Sequence, residues 1–177
     1  AKASPGKINF ASSGHGAAAH LSGELFKSEA KVNIVHVAYK GAAPALQDVM
    51  GGHVALMFDG PATALPMLKG GRLKAFAVSG PKRNPALPDV PTFAEQGYPM
   101  IDDVAMMILW VRPGVPADVQ AKVRDTALKV MAQPAAKARL LSFGFDQGSG
   151  ATPEELTKSL QKAYDKQLLL AAAMAEA

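Results

Sequence analysis

Short apolar and β-branched runs alternate with short helical patterns through the first half of the sequence, and this alternation constrains the fold more than any other feature. Each of the runs ends close to a turn that contains glycine. We predict β-strands at residues 7–11, 32–38, 53–58 and 72–78. Strands that alternate with short helices are typical of a mostly parallel sheet covered by helices, so the predicted class is α/β.

The helical segments begin and end at recognisable residues. Glycine pairs that start at Gly51 and Gly70 close two of them, and Pro61 opens one at a position where its missing N–H does no harm. Thr152 and Glu155 form a capping box ahead of the last helix. The predicted helices cover about residues 17–29, 43–50, 61–68, 117–132, 134–142 and 153–174, with a short one at 92–96.

A proline-rich stretch divides the sequence. Five prolines occur between Gly80 and Pro99, a composition typical of a loop. A continuous apolar run follows at residues 104–111, and we predict a fifth strand there that has no solvent-facing side. The proline-rich stretch therefore marks a candidate domain boundary.

Composition excludes several classes of protein. The chain has 19 Lys and Arg against 15 Asp and Glu, and the bases are scattered singly. A nucleic-acid surface usually shows a clustered basic stripe, so no nucleic-acid partner is expected. No apolar stretch reaches the ~18 residues that a membrane span needs. Cysteine is absent, which excludes disulfides, thiolate metal sites and cysteine nucleophiles.

Three turns, at residues 12–17, 40–43 and 59–62, lead from a predicted strand into the start of a predicted helix through small residues. Such a helix start leaves unpaired N–H groups at the positive end of the helix dipole, and glycine or alanine lets a ligand approach them closely. Two or more of them around one cleft would bind an anion. Ordinary βα turns also favour glycine and serine, so a purely structural interpretation stays open.

A nucleotide-binding interpretation is the alternative. Residues 14–19 fit the Gly-x-Gly-x-x-Gly/Ala fingerprint between a strand and a helix. That fold also needs an acidic residue at the end of the second strand, and residues 35–38 contain none. A small α/β nucleotide-binding domain or enzyme is therefore less favoured than an anion receptor.

Other chemistry has weaker support. Ser12 or Ser13, His15 or His20, and Asp59 supply the residue types of a hydrolase triad, but no Gly-x-Ser-x-Gly elbow occurs. The histidines stand at positions 15, 20, 36 and 53. They lack the paired spacing on one helix that zinc sites use, so no metal site is predicted.

Six stretches of the sequence have a recognisable order and spacing. They are INFASSG at 8–14, HLSGELF at 20–26, HVAYKGAAPA at 36–45, MFD at 57–59, LKAFAV at 73–78 and LPDVPT at 87–92. Together they closely resemble the substrate-binding proteins of tripartite tricarboxylate transporters, the Bug family. The resemblance extends over nearly the whole chain.

The resemblance implies a periplasmic solute receptor with the periplasmic binding protein-like (type II) fold. In that fold two α/β domains joined by a hinge close on a small carboxylate, and a membrane permease then receives it. Neither an enzyme activity nor a cofactor is implied. Residues 1–103 would form the second domain, and residues 104–177 would return to complete the first.

The resemblance also implies that backbone N–H groups and hydroxyls at helix N-termini hold the carboxylate. The predicted ligand-binding residues are Ser12, Ser13, Gly14 and His15 on one loop, Tyr39, Lys40, Gly41, Ala42 and Ala43 on a second loop, and Asp59 near the cleft. His15 departs from the small polar residue that the family usually carries there.

The family's mature chain begins with an α/β segment that has no counterpart in this sequence. We therefore expect a fragment in which the run at 104–111 and the helices after it lack their partners. Monomers avoid exposed apolar surface of that kind, so we predict self-association or strand exchange between copies.

Overall fold

A three-stranded parallel sheet organises the N-terminal part of the chain. The computed structural model describes residues 1–102, 108–145 and 151–175. The central strand is β1 (Ile8–Ser12), with β2 (Ile34–Ala38) on one side and β3 (Leu56–Met57) on the other. β1 and β2 pair along all five residues, whereas β3 pairs with β1 over two. The prediction of a mostly parallel sheet with flanking helices is confirmed.

Each of the three strands leads into a helix, and three further helices make up much of the C-terminal part. The helices are α1 (Ala18–Ala30), α2 (Ala42–Met50), α3 (Pro61–Lys69), α4 (Ala117–Ala132), α5 (Pro134–Ser142) and α6 (Pro153–Ala175). A 3-10 turn at Ala94–Gln96 takes the place of the predicted short helix. Among the described residues, no helix combines the length and the apolar character that a membrane crossing needs.

α1 packs closely against the sheet at Phe10 and Gly23. Phe10 is completely buried, and a Cβ atom added at Gly23 would lie only 2.1 Å from Phe10 Cε2. The Phe10 ring also lies 5.0 Å from the His36 ring and 6.0 Å from the Phe58 ring, measured between centroids. The glycine therefore lets α1 approach the sheet, and the ring has neighbours that prevent it from moving aside.

A cluster of aromatic rings joins α1 to the segment that carries the 3-10 turn. The Phe26 ring lies 5.9 Å from Phe58, 6.2 Å from Phe93 and 6.0 Å from Tyr98, between centroids. Phe58 and Phe93 are nearly parallel at 6.4 Å. Burial of these rings connects the sheet, α1 and the proline-rich segment in one apolar core.

The predicted strand at residues 72–78 is wrong. With the residues that the structure describes, only Val78 of this run pairs, in a single parallel bridge with Thr92. Val78 donates its N–H to the carbonyl of Pro91 and accepts a hydrogen bond from the N–H of Phe93, both at 3.0 Å. Because Pro91 has no N–H to donate, the ladder cannot continue through it.

Two other predicted strands differ from the structure. The strand at 53–58 shortens to Leu56–Met57, and the N–H of Ala55 bonds to the side-chain oxygen of Asn9 at 2.8 Å instead of joining the ladder. The strand at 104–111 falls partly on residues 103–107, which lie outside the described residues. Residues 108–111 form no strand with the part of the chain that the structure describes.

The predicted capping box at the start of α6 is confirmed. The N–H of Thr152 bonds to Glu155 Oε2 at 2.8 Å, and the N–H of Glu155 bonds back to Thr152 Oγ1 at 3.2 Å. The same reciprocal pair recurs between Thr92 and Glu95, at 2.6 and 3.1 Å, ahead of the 3-10 turn. Both boxes satisfy N–H groups that a helix start leaves without intrahelical partners.

Much apolar surface is uncovered in the C-terminal part. Neither α4 nor α5 has a buried residue, and Leu109 and Trp110 are each 68 % exposed. α6 packs against α1, and the Lys166 ammonium pairs with the Asp102 carboxylate. The helices α4 and α5 are therefore less buried than α1, α2 and α3, each of which has at least one buried apolar residue.

We expect Gly23→Ala to lower the free energy of unfolding by about 1–3 kcal/mol, because the new methyl group overlaps the fixed Phe10 ring. The loss should occur although alanine is favoured over glycine in a helix by about 1 kcal/mol. Ser28→Ala is the control in the same helix, since Ser28 is exposed and a methyl group there meets no core ring. Urea unfolding measures both variants, and a Gly23→Ala chain as stable as the parent would contradict this packing.

Candidate functional site

Three helix N-termini lie at one edge of the sheet. α1, α2 and α3 each follow one of the parallel strands, whose carboxyl ends share an edge. Their N-cap residues are Ala17, Gly41 and Gly60, and none makes a side-chain capping hydrogen bond. The first N–H groups of each helix therefore have no intrahelical or capping side-chain partner, and each helix dipole is positive at this edge.

The first two loops are tied together by backbone hydrogen bonds that continue the pairing of β1 with β2. The N–H of Tyr39 bonds to the Ser12 carbonyl at 3.0 Å, and the N–H of Gly41 bonds to the Ser13 carbonyl at 3.2 Å. The structure thus brings the two predicted ligand loops, 12–15 and 39–43, side by side at the carboxyl edge.

Two glycines give these loops their course. Gly14 has φ +146° and Gly41 has φ +113°, values that residues with a side chain rarely adopt. A Cβ at Gly14 would lie 3.6 Å from the Tyr39 carbonyl oxygen, which is ordinary contact. Glycine is therefore favoured at these two positions by the backbone conformation and not by a lack of space. Because glycine has no side chain, it also does not cover the N–H groups of the residues beside it.

The side chain of Ser12 faces inward. Ser12 is completely buried; its hydroxyl accepts a hydrogen bond from the N–H of Gly14 at 3.2 Å and lies 2.6 Å from His36 Nε2. A buried hydroxyl cannot reach a substrate, so this Ser–His pair does not form an accessible nucleophile. Its contacts hold the first loop against β2.

The residues of the second loop divide into a fixed tyrosine and an exposed cation. The Tyr39 hydroxyl donates to Asp48 Oδ2 at 2.6 Å, and this bond to a carboxylate raises the pKa of Tyr39. Lys40 is exposed. Gly41, Ala42 and Ala43 form the start of α2, where the absence of larger side chains lets an anion approach the N–H groups.

The third loop carries Asp59, two residues after β3. Its carboxylate is exposed and accepts a hydrogen bond from the Thr63 hydroxyl at 2.5 Å. A carboxylate repels an anionic ligand, but it accepts hydrogen bonds from a hydroxyl or ammonium group. Asp59 therefore differs from the other two loops in the chemistry that it offers.

The structure brings together three histidines that the sequence pattern left apart. His20 and His36 stack with ring centroids 3.8 Å apart, and the exposed His15 meets them edge-on at 5.4 and 5.0 Å. These side chains come from a loop, a helix and a neighbouring strand, so spacing along one helix does not predict that they lie together. His36 lies in the middle of β2, opposite Phe10 of β1, and its position along the strand carries no signal that would place it beside His15 and His20.

Burial and neighbouring charge change how this histidine cluster titrates. Burial and then the nearby His20 and His15 lower the pKa of His36 to about 4. Burial also lowers the pKa of His20, against the opposing effect of Glu24, which lies 3.7 Å away. His36 is therefore neutral at pH 7.

We expect the thermal stability of the chain to fall as the pH is lowered from the ordinary histidine value of 6.5 toward about 4. In that range the unfolded chain binds a proton at His36 that the folded chain does not, so the free energy of unfolding decreases with decreasing pH. His36→Gln should show a shallower slope of melting temperature against pH, whereas His53→Gln, at an exposed position, should retain the parent slope. Equal slopes for the parent and His36→Gln would contradict the lowered pKa.

Comparison with known proteins gives a family match. A sequence model described as "Tripartite tricarboxylate transporter family receptor" matches residues 1–171. The chain is 33% identical over 157 residues to a UPF0065 protein from the tcbD-tcbE intergenic region of Pseudomonas sp. strain P51. That alignment covers 88% of this chain and 46% of the relative, so the chain spans about half of the relative's length.

Two solved structures share the fold. The R. palustris protein Rpa4515, solved with adipate, superposes with a TM-score of 0.87 at 28% identity, over 97% of this chain and 58% of that one. The periplasmic binding protein BugD superposes with a TM-score of 0.80 at 31% identity, also over 97% of this chain and 58% of that one. The predicted periplasmic binding protein-like fold is confirmed over the part that aligns.

Proposed function

Because this chain belongs to the tripartite tricarboxylate transporter receptor family, we propose that it is a periplasmic solute receptor that captures a small carboxylate. The observation that carries the proposal is the pair of hydrogen-bonded loops at the carboxyl edge of the sheet, each of which leads into a helix without a side-chain cap. The receptor delivers its ligand to the membrane permease of a tripartite tricarboxylate-type transporter and catalyses no reaction.

The ligand contacts are assigned to the loop residues that surround these helix starts. They are Ser13, Gly14 and His15 on the first loop, and Tyr39, Lys40, Gly41, Ala42 and Ala43 on the second. The predicted contact by Ser12 is replaced by a supporting role, because its hydroxyl is buried and bonded within the protein. Backbone N–H groups and helix dipoles stabilise a carboxylate at this place, and Lys40 adds a full positive charge.

Asp59 has a separate role in the proposal. As an exposed hydrogen-bond acceptor at the third loop, it binds a hydroxyl or another donor group on the part of the ligand farther from the captured carboxylate. Ligands that carry a second carboxylate at that place would be repelled. Asp59 therefore selects among carboxylates, whereas the first two loops bind what all of them share.

The carboxylate class is supported by the adipate in the R. palustris neighbour, of which this chain covers 58%. In the full two-domain arrangement, residues 1–103 supply the second domain and its ligand loops, and residues 104–177 return to the first. The exposed apolar side chains of the C-terminal part, Leu109 and Trp110 among them, then require a covering surface.

We expect carboxylate binding to raise the melting temperature of the chain, since a ligand at about 100 times its Kd stabilises a protein by about 2.7 kcal/mol. A thermal-shift screen with mono-, di- and tricarboxylates, amino acids and NAD identifies the ligand, and calorimetry measures its Kd. Lys40→Met should weaken binding about tenfold, because it removes a charge-assisted contact. Lys122→Met, on the exposed side of α4, should leave the Kd unchanged.

A shift with NAD and with no carboxylate would overturn the receptor function in favour of nucleotide binding. No shift with any carboxylate would overturn carboxylate capture by this chain. If Lys40→Met and Lys122→Met weakened binding equally, the effect would come from the net charge of the chain and not from a contact in the second loop, and the role of Lys40 would be overturned.

We also expect the chain to self-associate at micromolar concentration, because exposed apolar side chains are removed from water in the associated form. Sedimentation velocity should show dimers or larger species, and Trp110→Glu should shift them toward the monomer. Phe76→Glu is the matched control, since Phe76 is 69 % exposed but lies in the N-terminal part. A parent chain that sediments as a monomer would contradict this expectation.

A further inference from the structure

We propose that His15, His20 and His36 form a three-histidine site for a divalent transition-metal ion, of which Zn²⁺ is the representative. One ring nitrogen of each residue lies within 4.8 Å of those of the other two. The three side chains come from the first loop, the first turn of α1 and strand β2, so the fold and not a local repeat assembles them. This proposal does not rest on carboxylate binding.

The geometry needs a small adjustment to hold an ion. Tetrahedral zinc sites have Zn–N distances of about 2.0–2.1 Å, which places their ligand nitrogens about 3.4 Å apart. Of the three rings, His15 is the most distant from the other two, and its side chain is exposed. The His20 and His36 rings are nearly parallel, so their in-plane lone pairs converge on one ion only after the His20 ring also turns. Rotation of the His15 and His20 side chains toward a His36 ring that Ser12 holds in place would complete the site.

The cluster offers imidazole nitrogens only, with one nitrogen from each of the three residues within 4.8 Å of the others. An imidazole cluster of this kind suits Zn²⁺, Cu²⁺ and Ni²⁺ better than Mg²⁺ or Ca²⁺, which prefer oxygen ligands.

A hydrogen-bonded hydroxyl orients one of the three rings, and a carboxylate lies near a second. Ser12 Oγ lies 2.6 Å from His36 Nε2, and Glu24 Oε1 lies 3.7 Å from His20 Nε2. Such outer partners fix ring orientation and tautomer in metal sites. The N–H of Gly16 bonds to His20 Nδ1 at 3.1 Å in an exposed position, so water can replace this bond when an ion occupies the nitrogen.

Zinc chloride is the probe, titrated calorimetrically into the chain at about pH 7.5 in a buffer without carboxylates, because histidine ligands must stay deprotonated. We expect one ion per chain. His15→Ala should weaken binding about tenfold or more, since it removes one of three ligands from an exposed loop and leaves the core intact. His53→Ala removes an exposed histidine outside the cluster and should bind as the parent does.

A second readout reports coordination directly. Cobalt chloride should give the intense visible absorption of a tetrahedral Co²⁺ site in the parent and in His53→Ala, and this absorption should be lost in His15→Ala and His36→Gln. Circular dichroism without metal checks that each variant is folded, and His15→Ala decides the question if His36→Gln is not. No binding by the parent, or equal binding by His15→Ala, would overturn the proposal. Loss of binding in His53→Ala would show that the ion sits elsewhere.

Discussion

The parallel pairing of β1 with β2 is the constraint on which the candidate site depends. Because the two strands pair along their full length and the pairing continues into the turns, the loops that follow them have a fixed relative position. The N-termini of α1 and α2, which are far apart in the sequence, therefore lie together at the carboxyl edge of the sheet. The buried Ser12 and His36 reinforce this arrangement from beneath, through contacts within the protein. The site is thus a property of the sheet more than of any single side chain.

The amount of buried apolar surface differs between the two parts of the chain. In the N-terminal part, Phe10, Ile34 and Leu65 are almost completely buried, and aromatic rings extend this core to the proline-rich segment. In the C-terminal part, α6 has a capping box and an ion pair with Asp102, whereas α4 and α5 have no side-chain cap and large apolar side chains contact water. Local stabilisation forms helices, but burial of apolar surface is what fixes how helices pack. The apolar side chains of α4 and α5 that face water are not covered by any of the described residues.

Sequence patterns predicted the helices and the class of the sheet, because glycine, proline and capping residues act locally. They failed where strand formation depended on a partner. Residues 72–78 have a strand-like pattern, yet Pro91 prevents the ladder beside Val78. The loop residues of the candidate site were also predictable, since each follows a strand. The histidine cluster was not, because the contact of His36 with His15 and His20 requires the register of β2 against β1 and the position of α1 above both.

The absence of a side chain at Gly23 has a consequence far from its own position. His20 and Gly23 belong to the same continuous helix, α1. The distance between α1 and the sheet at Gly23 therefore also determines the position of His20 and of the loop before the helix. A bulkier residue at position 23 would push α1 away from the sheet and shift the first turn of the helix with it. It would displace the first loop and so disturb the candidate site without contacting any of the residues that form it.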